Sequence, residues 1–122
     1  MAEVEDSILR TTKKALNLPA DYTAFDQDII MHINSVFFTL EQLGLGPVGG
    51  GFTITGDEET WADYMGIDKY NAVRSYMYLQ VRILFDPPTS SFALEALKQQ
   101  AKEWEWRLNV YIESKPKGVT NV

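Results

Sequence analysis

Apolar residues recur at helical spacing along most of the chain, and the breaks between the runs divide it into five predicted helices. Ile8, Leu9, Ala15 and Leu16 mark a first helix from about Asp6 to Leu16, with Arg10, Lys13 and Lys14 toward its C-terminal end. Asn17-Leu18-Pro19 interrupts it, because proline cannot continue a helix and restricts the residue before it. The second run is the clearest: Ile29, Ile30, Ile33, Val36, Phe37, Leu40 and Leu43 recur at steps of three and four, Asp26 and Asp28 favour the N-terminal end, and Gly44 is placed as a C-cap.

Leu45 to Gly51 contains too many glycines for regular structure, and Phe52-Thr53-Ile54-Thr55 alternates as a short strand does, so a Gly-rich loop or short hairpin is expected here. Thr55 and Glu58 have the spacing of a capping box, predicting a short helix with Trp61, Tyr64 and Met65 that Gly66 ends. From Lys69 to Phe85 the residues Tyr70, Val73, Tyr76, Met77, Leu79, Val81 and Leu84 cover almost every direction around the axis, the pattern of a helix buried on nearly all sides. Asp86-Pro87-Pro88 stops it. Ser90 or Ser91 then caps a fifth helix through Leu94, Leu97, Ala101, Trp104, Leu108 and Tyr111. The expected fold is all-α, a compact bundle of about five helices over residues 1–113, with a flexible tail at 114–122.

Some apolar side chains sit where a single core does not need them. At about 100° per residue, Met31 and Phe38 point nearly opposite to the Ile29, Ile33, Val36 and Leu40 stripe. On the fifth helix Phe92, Trp106 and Val110 share a direction away from Leu94, Leu97, Ala101, Trp104 and Leu108, with Glu95, Lys98, Gln99 and Lys102 nearby. Exposed aromatic anchors of this kind are enriched in protein interfaces, so these five residues are candidate contact positions. Gly49, Gly50, Gly51 and Phe52 form a candidate partner loop.

Composition narrows the chemistry. Hydrophobic residues make up 45% of the 122 and charged residues 23%, a globular balance for one domain. No apolar run reaches the roughly 18 residues of a membrane span, and the acidic start Met1-Ala2-Glu3-Val4-Glu5-Asp6 is unlike a secretory signal. Without cysteine there is no disulfide, thiol nucleophile or thiolate metal site. Seventeen acidic against eleven basic residues leave a net charge of -6, so nucleic acid is repelled by the average surface, though such a surface lets a polyanion slide past.

The single histidine, His32, has only Asp28 at helical spacing, a pairing that reads as a local hydrogen bond before it reads as catalysis. Asp26 with Asp28, Asp57 with Glu58 and Glu59, and Glu103 with Glu105 fit helix ends or solvated faces better than acid-base work. The run Gly49-Gly50-Gly51 lacks both the dinucleotide fingerprint and the phosphate-loop lysine. The expectation is a protein that is not an enzyme and holds no cofactor or metal.

Three segments, DQDIIMHINSVFFTLEQLGLGP at 26–47, YMYLQVRILFDPPTSS at 76–91 and EWEWRLNV at 103–110, resemble small phage and prophage proteins of the head-tail connector, or adaptor, type. The resemblance spans Asp6 to Val110, and Arg82, Asp86, Pro87 and Pro88 belong to its most specific part. It implies an all-helical subunit of a homo-oligomeric ring at the head-tail junction of the virion, assembled in the host cytoplasm. That ring joins the portal protein to tail-completion proteins and lets DNA pass without sequence-specific binding. The Gly-rich loop and the basic tail after Ser114 depart from the pattern and inherit nothing from it. The alternatives are a small phage-encoded interaction or regulatory protein acting as monomer or dimer, and, third, a hydrolase or nuclease built on His32 and scattered carboxylates.

Overall fold

The computed structural model describes residues 6–46, 50–65 and 71–114. Five helices occupy them: α1 Ile8–Ala15, α2 Asp26–Leu43, α3 Trp61–Met65, α4 Asn71–Phe85 and α5 Ser91–Ser114. The expected tail beyond Ser114, the expected cap Gly66, the start of the fourth helix at Lys69 and Tyr70, and Gly49 lie outside the described residues.

Each helix begins and ends for an identifiable local reason. The Ser7 hydroxyl accepts from the Arg10 amide at the start of α1, and Asn17 closes its other end in the left-handed region at φ 66°. Gly44 ends α2 with φ 102°, its amide donating to the Glu41 carbonyl. Ser90 accepts from the Ala93 amide at the start of α5, while Pro87 and Pro88 separate it from α4.

The capping box of the short helix forms later than its spacing predicted. Thr60 and Asp63 make the reciprocal pair, with the Asp63 amide donating to Thr60 Oγ1 at 3.1 Å and the Thr60 amide to Asp63 Oδ2 at 3.0 Å. Thr55 instead turns onto Glu59, whose carboxylate accepts from the Thr55 amide, the Thr55 hydroxyl and the Gly56 amide, and Glu58 is left exposed. The start of α3 is set from far away. The Ile8 amide donates to the Glu59 carbonyl and the Trp61 amide to the Asp6 carbonyl, so the isolated bridge between Ser7 and Thr60 decides which residue can cap. Burial alone raises a carboxyl's affinity for protons, but the hydrogen bonds at Glu59 outweigh it and hold this group below the usual glutamate range.

Phe52 to Thr55 forms no strand among the described residues. The Asn34 side chain of α2 holds it: its Oδ1 accepts from the Ile54 amide at 2.8 Å and its Nδ2 donates to the Ile54 carbonyl at 3.0 Å. One side-chain amide thus satisfies both backbone groups of a buried residue.

The core centres on α4, where Val73, Tyr76, Met77, Leu79 and Val81 are buried. The helices α1, α2 and α5 all pack on it. The α2 stripe is buried as patterned, with Leu43 half-buried, and Trp61 and Tyr64 bring α3 onto Phe37, with ring centroids 6.1 and 4.6 Å apart. Gly46, at φ 116°, passes so close to Tyr64 that a Cβ there would lie 3.3 Å from the ring. Burial, with the Glu41 carboxylate near, pushes the Tyr64 hydroxyl well above its ordinary range.

Lys13, read from the sequence as one of three cations near a helix end, is almost completely buried. Its ammonium donates to the Ala20 carbonyl at 3.1 Å and the Tyr22 carbonyl at 2.7 Å, and lies 2.8 Å from Asp26 Oδ1 in an ion pair off the hydrogen-bond direction. The group therefore ties α1, the linker and the first residue of α2 together.

Lys13→Ala is expected to cost about 3 kcal/mol, because it leaves the Asp26 charge and two carbonyls without their partner. Urea denaturation checks this against Lys14→Ala, which removes an exposed neighbour and changes stability by less than about 0.5 kcal/mol. Glu59 sets a pH dependence. Because its folded-state proton affinity is lowered, it stabilises the fold above its unfolded titration range, and this contribution disappears as pH falls through the lower folded value. Glu59→Gln is thus expected to be less stable than the parent chain at neutral pH, with the gap closing in acid, as followed by thermal melts across pH.

A candidate assembly surface

Helix α5 is 24 residues long and uses one narrow face. Ala101 and Leu108 are buried against the rest of the molecule, Leu94, Leu97 and Trp104 are half-buried, and the opposite side is open. Phe92 is 84% exposed, Trp106 65% and Val110 42%. On α2 the same division holds: Met31 is 60% and Phe38 61% exposed, while Phe37, one position before, is buried. The five positions singled out from the wheel all lie on the surface.

These residues lie on two helices, α2 and α5. Trp106 stands as a ridge between two shallow clefts of about 460 and 420 Å³, one lined by Gln99, Gln100, Lys102 and Glu103, the other by Leu43, Lys102, Glu105 and Asn109. Neither Met31 nor Phe38 lines them. On α5 the pairs Glu95 with Lys98 and Glu103 with Arg107 are satisfied within the helix, and the Arg107 guanidinium lies 5.2 Å from the centre of the Trp104 ring.

Three further exposed apolar residues escaped the helical wheel. Tyr22 and Phe25 lie in the linker before α2, which has no period from which to assign a face, and Leu84 belongs to a helix apolar nearly all round. The Tyr22 and Phe25 rings meet edge to face at 5.8 Å, and Phe25 continues onto Phe85 at 5.5 Å.

The candidate loop is only partly outward. Gly50 and Gly51 have φ of 69° and 77°, and the Gly51 amide donates to Glu41 Oε1 at 3.0 Å. Phe52 turns inward, half-buried, its ring 5.1 Å from Phe37 and 5.3 Å from Tyr64. Its spacing after three glycines gave no sign of this, because the partner rings lie on other helices.

Sites of other chemistry do not assemble among the described residues. His32 makes no hydrogen bond to Asp28 there; its ring lies against Phe85 at 6.4 Å. No cluster of His, Asp and Glu suits a metal ion among them, and no described helix is long and apolar enough to cross a membrane. The cleft of about 700 Å³ beside Arg10, Lys14 and Arg74 is basic in composition, but Arg10 pairs with Asp57 and Arg74 with Asp6, both at 2.7 Å.

The described residues thus form an all-helical bundle that leaves large apolar side chains exposed on α2 and α5, the kind of surface on which protein contacts concentrate. The family described as phage connector protein matches residues 8–115, and the chain belongs to it. It is accordingly a structural, virion-associated component of the phage connector. No curated protein and no solved structure matches the chain.

Because Phe38 and Trp106 lie outside the core, Phe38→Ser and Trp106→Ser are each expected to shift the stability of the isolated chain by less than about 0.5 kcal/mol. Phe37→Ser, which empties a fully packed position, is expected to cost more than about 3 kcal/mol. Denaturant titration of the three variants separates surface from core.

Proposed function

We propose that the chain is the subunit of a ring at the head-tail junction, joining the portal to tail-completion proteins while DNA passes through the channel. The observation that carries this reading is the pair of outward apolar faces on different helices, Met31 and Phe38 on α2 and Phe92, Trp106 and Val110 on α5. A cyclic ring uses heterologous contacts, one patch meeting a different patch on the neighbour, and a chain with two unlike faces has the parts for it. Family membership supplies the setting. The net charge of -6 suits a wall past which a polyanion must move without sticking.

The work is steric: the subunit holds a passage open and offers edges to its neighbours. The loop around Gly49, Gly50 and Gly51, anchored at Phe52 against Phe37 and Tyr64, and the segment 114–122 are the proposed contacts to the portal or tail side, since both lie at or beyond the ends of the helices. Weak contacts between subunits become cooperative when a template supplies many sites together, so the portal is the expected nucleus of assembly.

Light scattering over a concentration range, with and without the portal protein of the same phage, tests the reading. A ring-sized mass or a stable complex with the portal is the expected result. A strict monomer or dimer that ignores the portal overturns it in favour of a small interaction protein. Deleting 114–122 is expected to weaken portal binding without changing helix content by circular dichroism, and unchanged binding removes that segment from the interface.

A further inference from the structure

Beside the apolar anchors, Asp28 on α2 and Lys102 on α5 carry opposite charges, Lys102 sharing its clefts with Glu103, which is paired with Arg107, and with the half-buried Glu105. Helix α2 contains no lysine or arginine, and its exposed side presents Asp28 one turn before Met31. Glu41, the other carboxylate on the exposed side, already accepts from the Gly51 amide. On α5 two of the three cations, Lys98 and Arg107, pair with glutamates of their own helix. Lys102 has no ion pair among the described residues, is exposed, and lines both clefts beside Trp106, one turn before it.

Each face therefore presents a large apolar side chain with a charge one turn toward the helix N-terminus, acidic on α2 and basic on α5. Resting on the ring reading above, we propose that α5 of one copy lies along the outer face of α2 of the next copy, in the same direction. Trp106 then seats on Met31, and Lys102 faces Asp28. Residues three and four apart on a helix share a face at about one turn of rise, so a single same-direction alignment satisfies both contacts. Reversing either helix separates the charges.

The alignment brings further exposed residues together. Val110, one turn beyond Trp106, comes alongside Ser35 and Phe38. At 1.5 Å per residue α5 is about 36 Å long and α2 about 27 Å, so the N-terminal part of α5 overhangs and carries Phe92 toward the exposed pair Tyr22 and Phe25. A thioether against an indole is a favourable contact, and an anchor flanked by one matched charge gives register as well as attraction. Because the two faces are unlike, a second copy docked this way still offers its own free α2 face to a third.

The absence of cysteine makes the test direct. Two single variants, Met31→Cys and Trp106→Cys, are mixed, assembled with the portal protein and mildly oxidised. The expected result is a disulfide-linked dimer in the mixture and none with either variant alone. A dimer from Trp106→Cys alone overturns the proposal by showing like faces together. No cross-link in an assembly that light scattering shows to be intact overturns this pairing and leaves the ring standing, whereas failure of the parent chain to assemble at all overturns both. Charge reversal gives an independent readout on exposed positions: Lys102→Glu is expected to raise the concentration needed for assembly by about tenfold, and adding Asp28→Lys to restore it. Absence of rescue counts against the proposed register.

Discussion

Helix α4 is apolar around most of its circumference, and a helix of that kind is stable in water only when other elements cover it on several sides. Among the described residues the cover comes chiefly from α1, α2 and α5, each of which lends one face. The remainder of the architecture follows. The buried stripe of α2 and the narrow stripe Leu94, Leu97, Ala101, Trp104 and Leu108 of α5 are spent on α4, and among the described residues no further layer covers what lies behind them. Their outer faces are left to solvent or to another chain.

Around this centre the elements are fastened by polar contacts between residues far apart in sequence. Lys13 joins the end of α1 to the start of α2 through two carbonyls and Asp26. Arg10 reaches Asp57 and Arg74 reaches Asp6, while the Trp61 indole donates to Thr11 at 2.9 Å. The two arginine pairs are substantially exposed and contribute little energy individually. Their value is positional: the Arg10 pair orients α1 against the segment before α3, and the Arg74 pair ties α4 to the residue that leads into α1. Lys13 differs because its charge is removed from water and has to be met where it lies. On α4 the Tyr76 hydroxyl, which accepts from Gln80 at 3.0 Å, is raised in proton affinity chiefly by burial, against that hydrogen bond and with the Glu105 carboxylate of α5 adding to it.

This economy connects the fold with membership of the phage connector protein family. A domain that buries only one side of its longest helix has surface available for large, repeated contacts, and large apolar anchors such as Phe92 and Trp106 are the kind of residue on which interface energy concentrates. Flanking charges restrict the ways in which such anchors can pair. A structural role of this sort asks for no reactive group, and the carboxylates of this chain act as caps, ion-pair partners and backbone acceptors, as Asp63, Asp57 and Glu59 do.

The all-α class, the order of five helices and the outward direction of Met31, Phe38, Phe92, Trp106 and Val110 were legible in the linear pattern. Helical period, proline breaks and cap residues act within a few positions of themselves, so the amino-acid order alone determines them. Resemblance of three segments likewise identified the family before any contact was known. What only the tertiary structure decided depends on residues that meet across tens of positions. Lys13 could not be told from Lys14 until the linker carbonyls folded over it, nor Asn34 seen as the partner of Ile54. The cap of α3 moved from Thr55 to Thr60 because Asp6 and Ile8 hold that turn, and Phe52 went inward because Phe37 and Tyr64 were there to receive it. Periodicity states which way a side chain points from its own axis; burial and pairing depend on what the rest of the chain brings to that side.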